Sequence, residues 1–409
     1  MHEHGTTVTI ETLGCKLNQA ESEALAWDLH RSGYRVVAPS SGADIYILNT
    51  CTVTHIADRK SRHLLRAARR AMPGAFIVAA GCYVQRAPSV LRGMDEVDMV
   101  VDNAGKHRLA ELLGARRGAA DGPPPSFRTR SMVKVQEGCS RWCAYCIVPH
   151  VRGAERSLPI DDVVATVRSR VATGYQEVVL TGTHIGTVVP GLALLVRRVL
   201  DESGIARLRL SSLRPEDVTP GLLSLWRDDR LCRHLHIPLQ SGSDAVLGRM
   251  GRGYHVADFV GAVEMARRAV PDIAITTDIV VGFPGESEEE FEESYALCRE
   301  LGLADIHVFP FSERPGTAAC GMPGKVAEQV KRDRCRRMRA LAEEVSRGFR
   351  ERFAGRTMTV LWEDEGDGVW QGLTDNYIRV HAHSNAPLAN RLTEARLVDG
   401  SRAVPIGVG

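Results

Sequence analysis

Apolar positions in the first hundred residues fall into two alternating periods. Val8 to Leu13, Asp44 to Leu48 and Phe76 to Ala80 are short strand-like runs, and each leads directly to a cysteine: Cys15, Cys51 and Cys82. Between them the period lengthens to that of a helix over Gln19 to Arg31 and Ala57 to Met72, the second stopping at Pro73-Gly74. Strands alternating with helices predict an open parallel sheet. The carboxyl ends of its strands line the crevice, so the three cysteines are expected to converge there; the competing reading is three ordinary buried thiols.

Arg116 to Arg130 has no apolar period and concentrates Pro and Gly, as a linker does. Beyond it strands and helices alternate again, with strands expected at Met132 to Gln136, Glu177 to Thr181, Arg207 to Leu213, His234 to Leu239, Ile273 to Val281 and Asp305 to Phe311. Six such units predict a full or partial barrel with its site at the carboxyl ends of the strands. Val326 to Phe353 follows as a long helix with an apolar stripe of Val330, Met338, Leu341, Val345 and Phe349. Short alternating runs at Met358 to Trp362, Trp370 to Thr374 and Tyr377 to His381 then predict a small all-β barrel. The expected fold class is α/β, with boundaries at 1–115, a linker over 116–130, a barrel over 131–352 and a β module over 353–409.

The chain of 409 residues, 44% hydrophobic, is long enough for two or three cores. Its start lacks the basic and apolar segments of a secretion signal and no run reaches membrane-spanning length, so a cytoplasmic protein without a membrane partner is expected. Ten cysteines then read as metal ligands or buried thiols rather than crosslinks. The net charge of +2 says little, but the cations are clumped. Arg59, Lys60, Arg62, Arg66, Arg69 and Arg70 form one run, and Lys331, Arg332, Arg334, Arg336, Arg337 and Arg339 another. Each is either a solvated helix face or a nucleic-acid contact.

The most pointed chemistry lies just after the first barrel strand, where Cys139, Cys143 and Cys146 are spaced by three and two residues. Three thiolates hold three corners of a 4Fe-4S cube and leave one iron free for a small molecule. A structural zinc site closed by His150 is the alternative. Cys232, Cys298, Cys320 and Cys335 have no matched spacing and read as packing residues.

The spacing Cys139-x3-Cys143-x2-Cys146, with Tyr145 before the last thiol, resembles that of the radical S-adenosylmethionine enzymes. With Cys15, Cys51 and Cys82 added, nearly the whole chain is similar to their methylthiotransferase branch, whose terminal TRAM module Arg356 to Gly409 resembles. The resemblance implies two 4Fe-4S clusters, one on Cys139, Cys143 and Cys146 that cleaves S-adenosylmethionine and one on Cys15, Cys51 and Cys82 that donates sulfur. It implies less firm cofactor contacts at Tyr145, Thr181, Gly182, Thr183, Ser211, Ser212 and Gly282. For Thr181 to Gly186 a plain turn competes, as it does for Gly282 to Gly285.

The loop Gly14-Cys15-Lys16-Leu17-Asn18 resembles the branch acting on threonylcarbamoyladenosine. The implied reaction is methylthiolation of carbon two of that base beside the anticodon of tRNA. The relatives' other substrates, isopentenyladenosine and a ribosomal-protein aspartate, are the enzymatic alternatives, and a zinc-dependent RNA-binding protein the non-enzymatic one. A low-potential electron donor such as flavodoxin or ferredoxin is implied as partner. Binding an anticodon loop requires cations, for which Arg59, Lys60, Arg62, Lys331, Arg332 and Arg336 are the candidates. Two departures stand out. From Thr357 onward four Arg and no Lys face seven Asp or Glu, and Leu158 occupies a position where relatives commonly hold arginine.

Overall fold

The runs that lead to cysteine form the middle of a parallel sheet because helices on both faces can bury every position along them. The computed structural model describes residues 6–114 and 128–407. In it β1 (Thr7–Thr12), β2 (Arg35–Val36), β3 (Ile45–Thr50), β4 (Phe76–Gly81) and β5 (Met99–Val101) lie in the order β2-β1-β3-β4-β5, all parallel. Alternation along β3 and β4 sends Ile47 and Val78 towards Leu25 and Leu29 of the Lys16–Arg31 helix. Leu48 and Ile77 go the other way, to Leu65 of the His55–Ala71 helix. That helix starts on Thr54, whose side chain accepts from Ala57 N at 3.1 Å, and buries Ser61, Leu65 and Ala68, leaving Arg59, Lys60 and Arg70 in solvent. The short strands β2 and β5 carry too few apolar residues to stand out from the sequence.

The assigned linker lies outside the described residues except for 128–130, and Arg130 already belongs to the next strand, β6 (Arg130–Lys134). A short antiparallel ribbon, β7 (Gln136–Glu137) with β8 (Arg156–Ser157), brackets the Cys139 to Cys146 loop. Then come β9 (Glu177–Thr181), β10 (Arg207–Leu210), β11 (His234–His236), β12 (Ala274–Val281) and β13 (Asp305–Pro310). They form two three-stranded parallel sheets, β10-β9-β6 and β11-β12-β13, which bridges Leu208 to Leu231 and Ser212 to His236 join into one six-stranded arc. The arc is a partial barrel, and the Lys16–Arg31 helix packs along β6. Several strands end earlier than their apolar runs because residues such as Leu213 and Leu239 are buried in the loops that follow.

The long helix runs Glu328–Glu351 and packs on β13. Met338, Leu341 and Phe349 are buried as the stripe predicts, but Val330 is exposed, and Lys331, Arg334 and Cys335 take the buried face instead. The last module comprises β14 (Thr357–Gly366), β15 (Val369–Thr374), β16 (Arg379–His383), β17 (Leu392–Leu397) and β18 (Ala403–Pro405), antiparallel in the order β16-β15-β14-β17-β18. A bridge from His381 to Arg402 brings its two edges together into a near-barrel around the buried Trp362. The turn after β15 caps the amino end of the arc. Arg207 and Arg209 donate to the carbonyls of Leu373 at 3.1 Å and Asp375 at 3.0 Å, and Tyr377 stacks on His234 with ring centroids 4.2 Å apart.

Candidate functional site

Two sets of three thiols meet at the carboxyl ends of the two parallel sheets. Every one of these cysteines is free of disulfide bonds. Cys139, Cys143 and Cys146 line one cavity of about 170 Å³ together with Tyr145, Thr183, His184, Ser212, Arg214 and Arg252. The loop is held by its own backbone: Cys139 N donates to Gly153 O at 3.0 Å, Ala144 N to Met250 O at 2.8 Å and Cys146 N to Cys143 O at 2.9 Å. Arg252, from the turn after the Asp244–Met250 helix, donates to Cys143 Sγ at 3.4 Å and to the Tyr145 hydroxyl at 3.2 Å. A cation beside a thiolate set offsets the negative charge of a thiolate-bound cluster, so this donor set and cavity fit one. No geometry for a zinc tetrahedron with His150 is present; its ring packs edge-on against the exposed Trp142, 5.2 Å away.

Cys15, Cys51 and Cys82 converge around Asn18. Its side-chain oxygen lies 3.9 Å from Cys15 Sγ and 4.0 Å from Cys82 Sγ, and its amide nitrogen donates to Leu13 O at 2.7 Å and Thr50 O at 3.0 Å. Gly14 has φ +101°, and a Cβ there would stand 2.8 Å from Cys51 Sγ, so only glycine lets the first strand's loop approach the second thiol. Burial pushes Cys51 up to about 12 and raises Cys82. Desolvation likewise pushes Cys146 up to about 12 and raises Cys139. Thiols held this high stay protonated near neutral pH, which suits ligands that lose their protons to a metal better than free nucleophiles. The convergence and the close approach that Gly14 permits fit a second cluster.

One helix turn joins the sets. The Val148–Arg152 helix follows Cys146, its Ile147 and Val151 pack on Cys82, and Arg152 donates to Asn18 Oδ1 and, at 2.7 Å, to Glu21. Asn103 completes the joint, donating to Val151 O at 2.7 Å. Burial works to raise the Glu21 carboxyl, but Lys106 and Arg152 outweigh it and leave it lowered to about 2.

The remaining expected residues divide. Tyr145, Thr183 and Ser212 line the thiol cavity, whereas Thr181, Gly182 and Ser211 do not. Thr181 accepts from Val135 N at 2.9 Å through its carbonyl, Gly182 is pressed against Gln136, and Ser211 is buried. Gly282 is a turn residue: its N–H goes to Glu286, φ is +74°, and a Cβ would collide with Lys331. That packing removes Lys331 from the surface, where its ammonium pairs with Glu328, so the expectation of an RNA contact there is corrected. Arg336 is exposed but paired with Asp333 at 3.0 Å, and Arg332 donates to Gln329 at 3.0 Å. Arg62 donates to the Tyr83 hydroxyl, leaving Arg59 and Lys60 as the exposed cations of that run without a partner among the described residues. Sequence reasoning missed Arg252, Arg214 and Trp142, which carry no spacing signal. It used Lys16 only as a branch marker, although burial, with Arg209 and Arg130 nearby, lowers its ammonium to about 8.

Comparison with known proteins agrees with this arrangement. Residues 7–102 match the family described as Uncharacterized protein family UPF0004, and residues 133–298 match the Radical SAM superfamily. The threonylcarbamoyladenosine tRNA methylthiotransferase MtaB of Bacillus subtilis is 34% identical, the alignment covering 96% of this chain and 94% of that protein. The MtaB of Thermotoga maritima is 38% identical over 91% of this chain and 90% of its own. The tRNA-2-methylthio-N(6)-dimethylallyladenosine synthase of Syntrophotalea carbinolica is 33% identical over 97% and 98%. Among solved structures, the radical S-adenosylmethionine methyltransferase TsrM of Kitasatospora setae superposes with a TM-score of 0.57 over 77% of each chain at 16% identity, a likeness of fold.

Proposed function

Because the chain belongs to the radical S-adenosylmethionine methylthiotransferases, we propose that it places a methylthio group on carbon two of N6-threonylcarbamoyladenosine beside the anticodon of tRNA. The observation that carries this reading is the pair of three-thiol sites joined through Arg152 and Asn18, since sulfur insertion needs a radical source and a sulfur source at one substrate atom. When bound, the cluster on Cys139, Cys143 and Cys146 supplies the electron that cleaves S-adenosylmethionine, and that on Cys15, Cys51 and Cys82 supplies the sulfur.

The chain's own residues fix geometry and exclude water. Arg252 fixes Cys143 and Tyr145 relative to each other, and Arg214 is braced by Glu216 at 2.6 Å on the same cavity. The capped amino end of the arc leaves the carboxyl end for substrate. There the exposed Trp142 offers a face for a splayed base, and Arg59 and Lys60 offer charge for phosphates. The acidic terminal module acts as a cap rather than as an electrostatic guide. A low-potential flavodoxin or ferredoxin is the fitting electron donor, and the cytoplasm the fitting compartment for an enzyme of tRNA.

The identities to the two base-specific groups of relatives differ little, so the nucleoside itself is the test. Deleting the gene should remove the methylthio derivative of threonylcarbamoyladenosine from digested tRNA, with the unmethylthiolated form rising in its place. An unchanged profile, or loss of the dimethylallyl derivative instead, sinks the assignment.

A further inference from the structure

Three titratable side chains inside the arc have no part in the reaction as described: His236, Asp278 and His307, on β11, β12 and β13. His236 Nε2 stands 3.3 Å from one Asp278 oxygen, and His307 Nδ1 stands 3.1 Å from the other. The two imidazoles stack with centroids 5.3 Å apart, and Thr276 Oγ1 meets His236 Nδ1 at 2.9 Å. Both carboxylate oxygens of Asp278 are therefore engaged. His307 keeps a 42% exposed side chain whose other nitrogen is 3.8 Å from the outward Asp305.

Lys16 shares this interior. It is the first residue of the Lys16–Arg31 helix, and its charge is felt by groups on five successive strands: Glu177, Arg209, His234, Asp278 and His307. Among the described residues it makes no hydrogen bond or ion pair. The carboxylates near it are committed elsewhere, Asp278 to the imidazoles and Glu177 to Arg207 at 3.1 Å and Arg209 at 2.8 Å. An ammonium drawn partly out of water without a counterion is a cost that an incoming anion would relieve.

We propose that Lys16 and His307 form a subsite for the free carboxylate of the threonyl group on the substrate base, with Asp278 as the positioning residue for His307. The proposal rests on the threonylcarbamoyladenosine reading above and supplies its chemical basis: a dimethylallyl group carries no charge for such a subsite to hold. Lys16 directly follows Cys15, so a base held by this appendage has its ring beside the sulfur-bearing site. His236, Asp278 and His307 are also close enough together to chelate a divalent cation. The positive charges of Lys16, Arg209 and Arg130 around the same space favour an anion.

Anticodon stem-loops bearing threonylcarbamoyladenosine as the free acid or as its neutral amide test this by affinity for the two-cluster holoenzyme. The unsubstituted enzyme should bind the acid at least tenfold more tightly than the amide. In Lys16→Gln and in His307→Gln that ratio should fall towards one, a change that general loosening of the fold would not produce. Equal binding of acid and amide by the unsubstituted enzyme overturns the subsite, as does retention of the ratio in either variant. So does a tightly held divalent ion, beyond cluster iron, that is lost together with the ratio in His307→Gln. Whether the unsubstituted enzyme methylthiolates the acid stem-loop is scored separately, so failure of the substrate reading is distinguishable from failure of the subsite.

Discussion

Desolvation gives the six ligand thiols a common trait and different exposures. Cys51, Cys82 and Cys143 are buried, Cys139 and Cys146 are half-buried, and Cys15 is exposed on its loop. Their two sets should separate under substitution. In anaerobically reconstituted enzyme, Cys143→Ala should abolish cleavage of S-adenosylmethionine, whereas Cys51→Ala should retain cleavage and lose sulfur transfer to tRNA. Methylthiolated product from the Cys51 variant would refute the sulfur-donor role of that set. Single residues also mark the limit of what the sequence shows. Cys139, Cys143 and Cys146 announce themselves by spacing, but Arg252 lies 109 positions from Cys143 and reaches it only because the Asp244–Met250 helix folds back across the loop.

Among the elements, β9 and β10 carry an unusual load for barrel strands. Glu177 is fully buried between Arg207 and Arg209. Burial works to raise its carboxyl, but the two guanidinium groups outweigh that and leave it lowered to about 2. A carboxyl depressed by folding contributes stability that is fully present above its ordinary value near 4.5 and is lost as pH falls from there towards 2. The urea midpoint should therefore drop between pH 5 and pH 3, and Glu177→Gln should flatten that drop while costing about 3–5 kcal/mol at neutral pH by leaving two buried cations unpaired. A variant as stable as the parent at pH 7 would contradict this. The strands themselves were legible where apolar runs end in a cysteine or a Gly-rich turn, as at β4 and β12. β2, β5, β17 and β18 were not, being two to six residues long and partly exposed. The long helix was found, but its charge run did not reveal which cations face inward. Lys331 and Arg334 do, because Gly282 leaves room for the first and Glu286 pairs with the second at 2.8 Å.

Over the whole molecule, the sulfur-donor layer is fastened to the barrel by buried charge. Arg314, after β13, donates to Asp58 at 2.6 Å and to Thr52 at 2.9 Å, and Arg86 holds the same Asp58 at 2.7 Å. Arg314→Met would leave Asp58 paired with Arg86 while releasing the cross-layer contact. Iron content and S-adenosylmethionine cleavage should persist, and sulfur transfer should fall by about 100-fold, the usual cost of misplacing reacting groups by an ångström. Transfer within twofold of the parent would show that this contact does not set the alignment of the two thiol sets. At the opposite end, the turn bearing Leu373, Asp375 and Tyr377 stoppers the barrel. A chamber with a single doorway imposes an order of traffic, in which whatever enters first leaves last. Fragments of the small cofactor made beneath a docked tRNA stay there until the RNA departs, so the chamber empties at the pace of its largest guest.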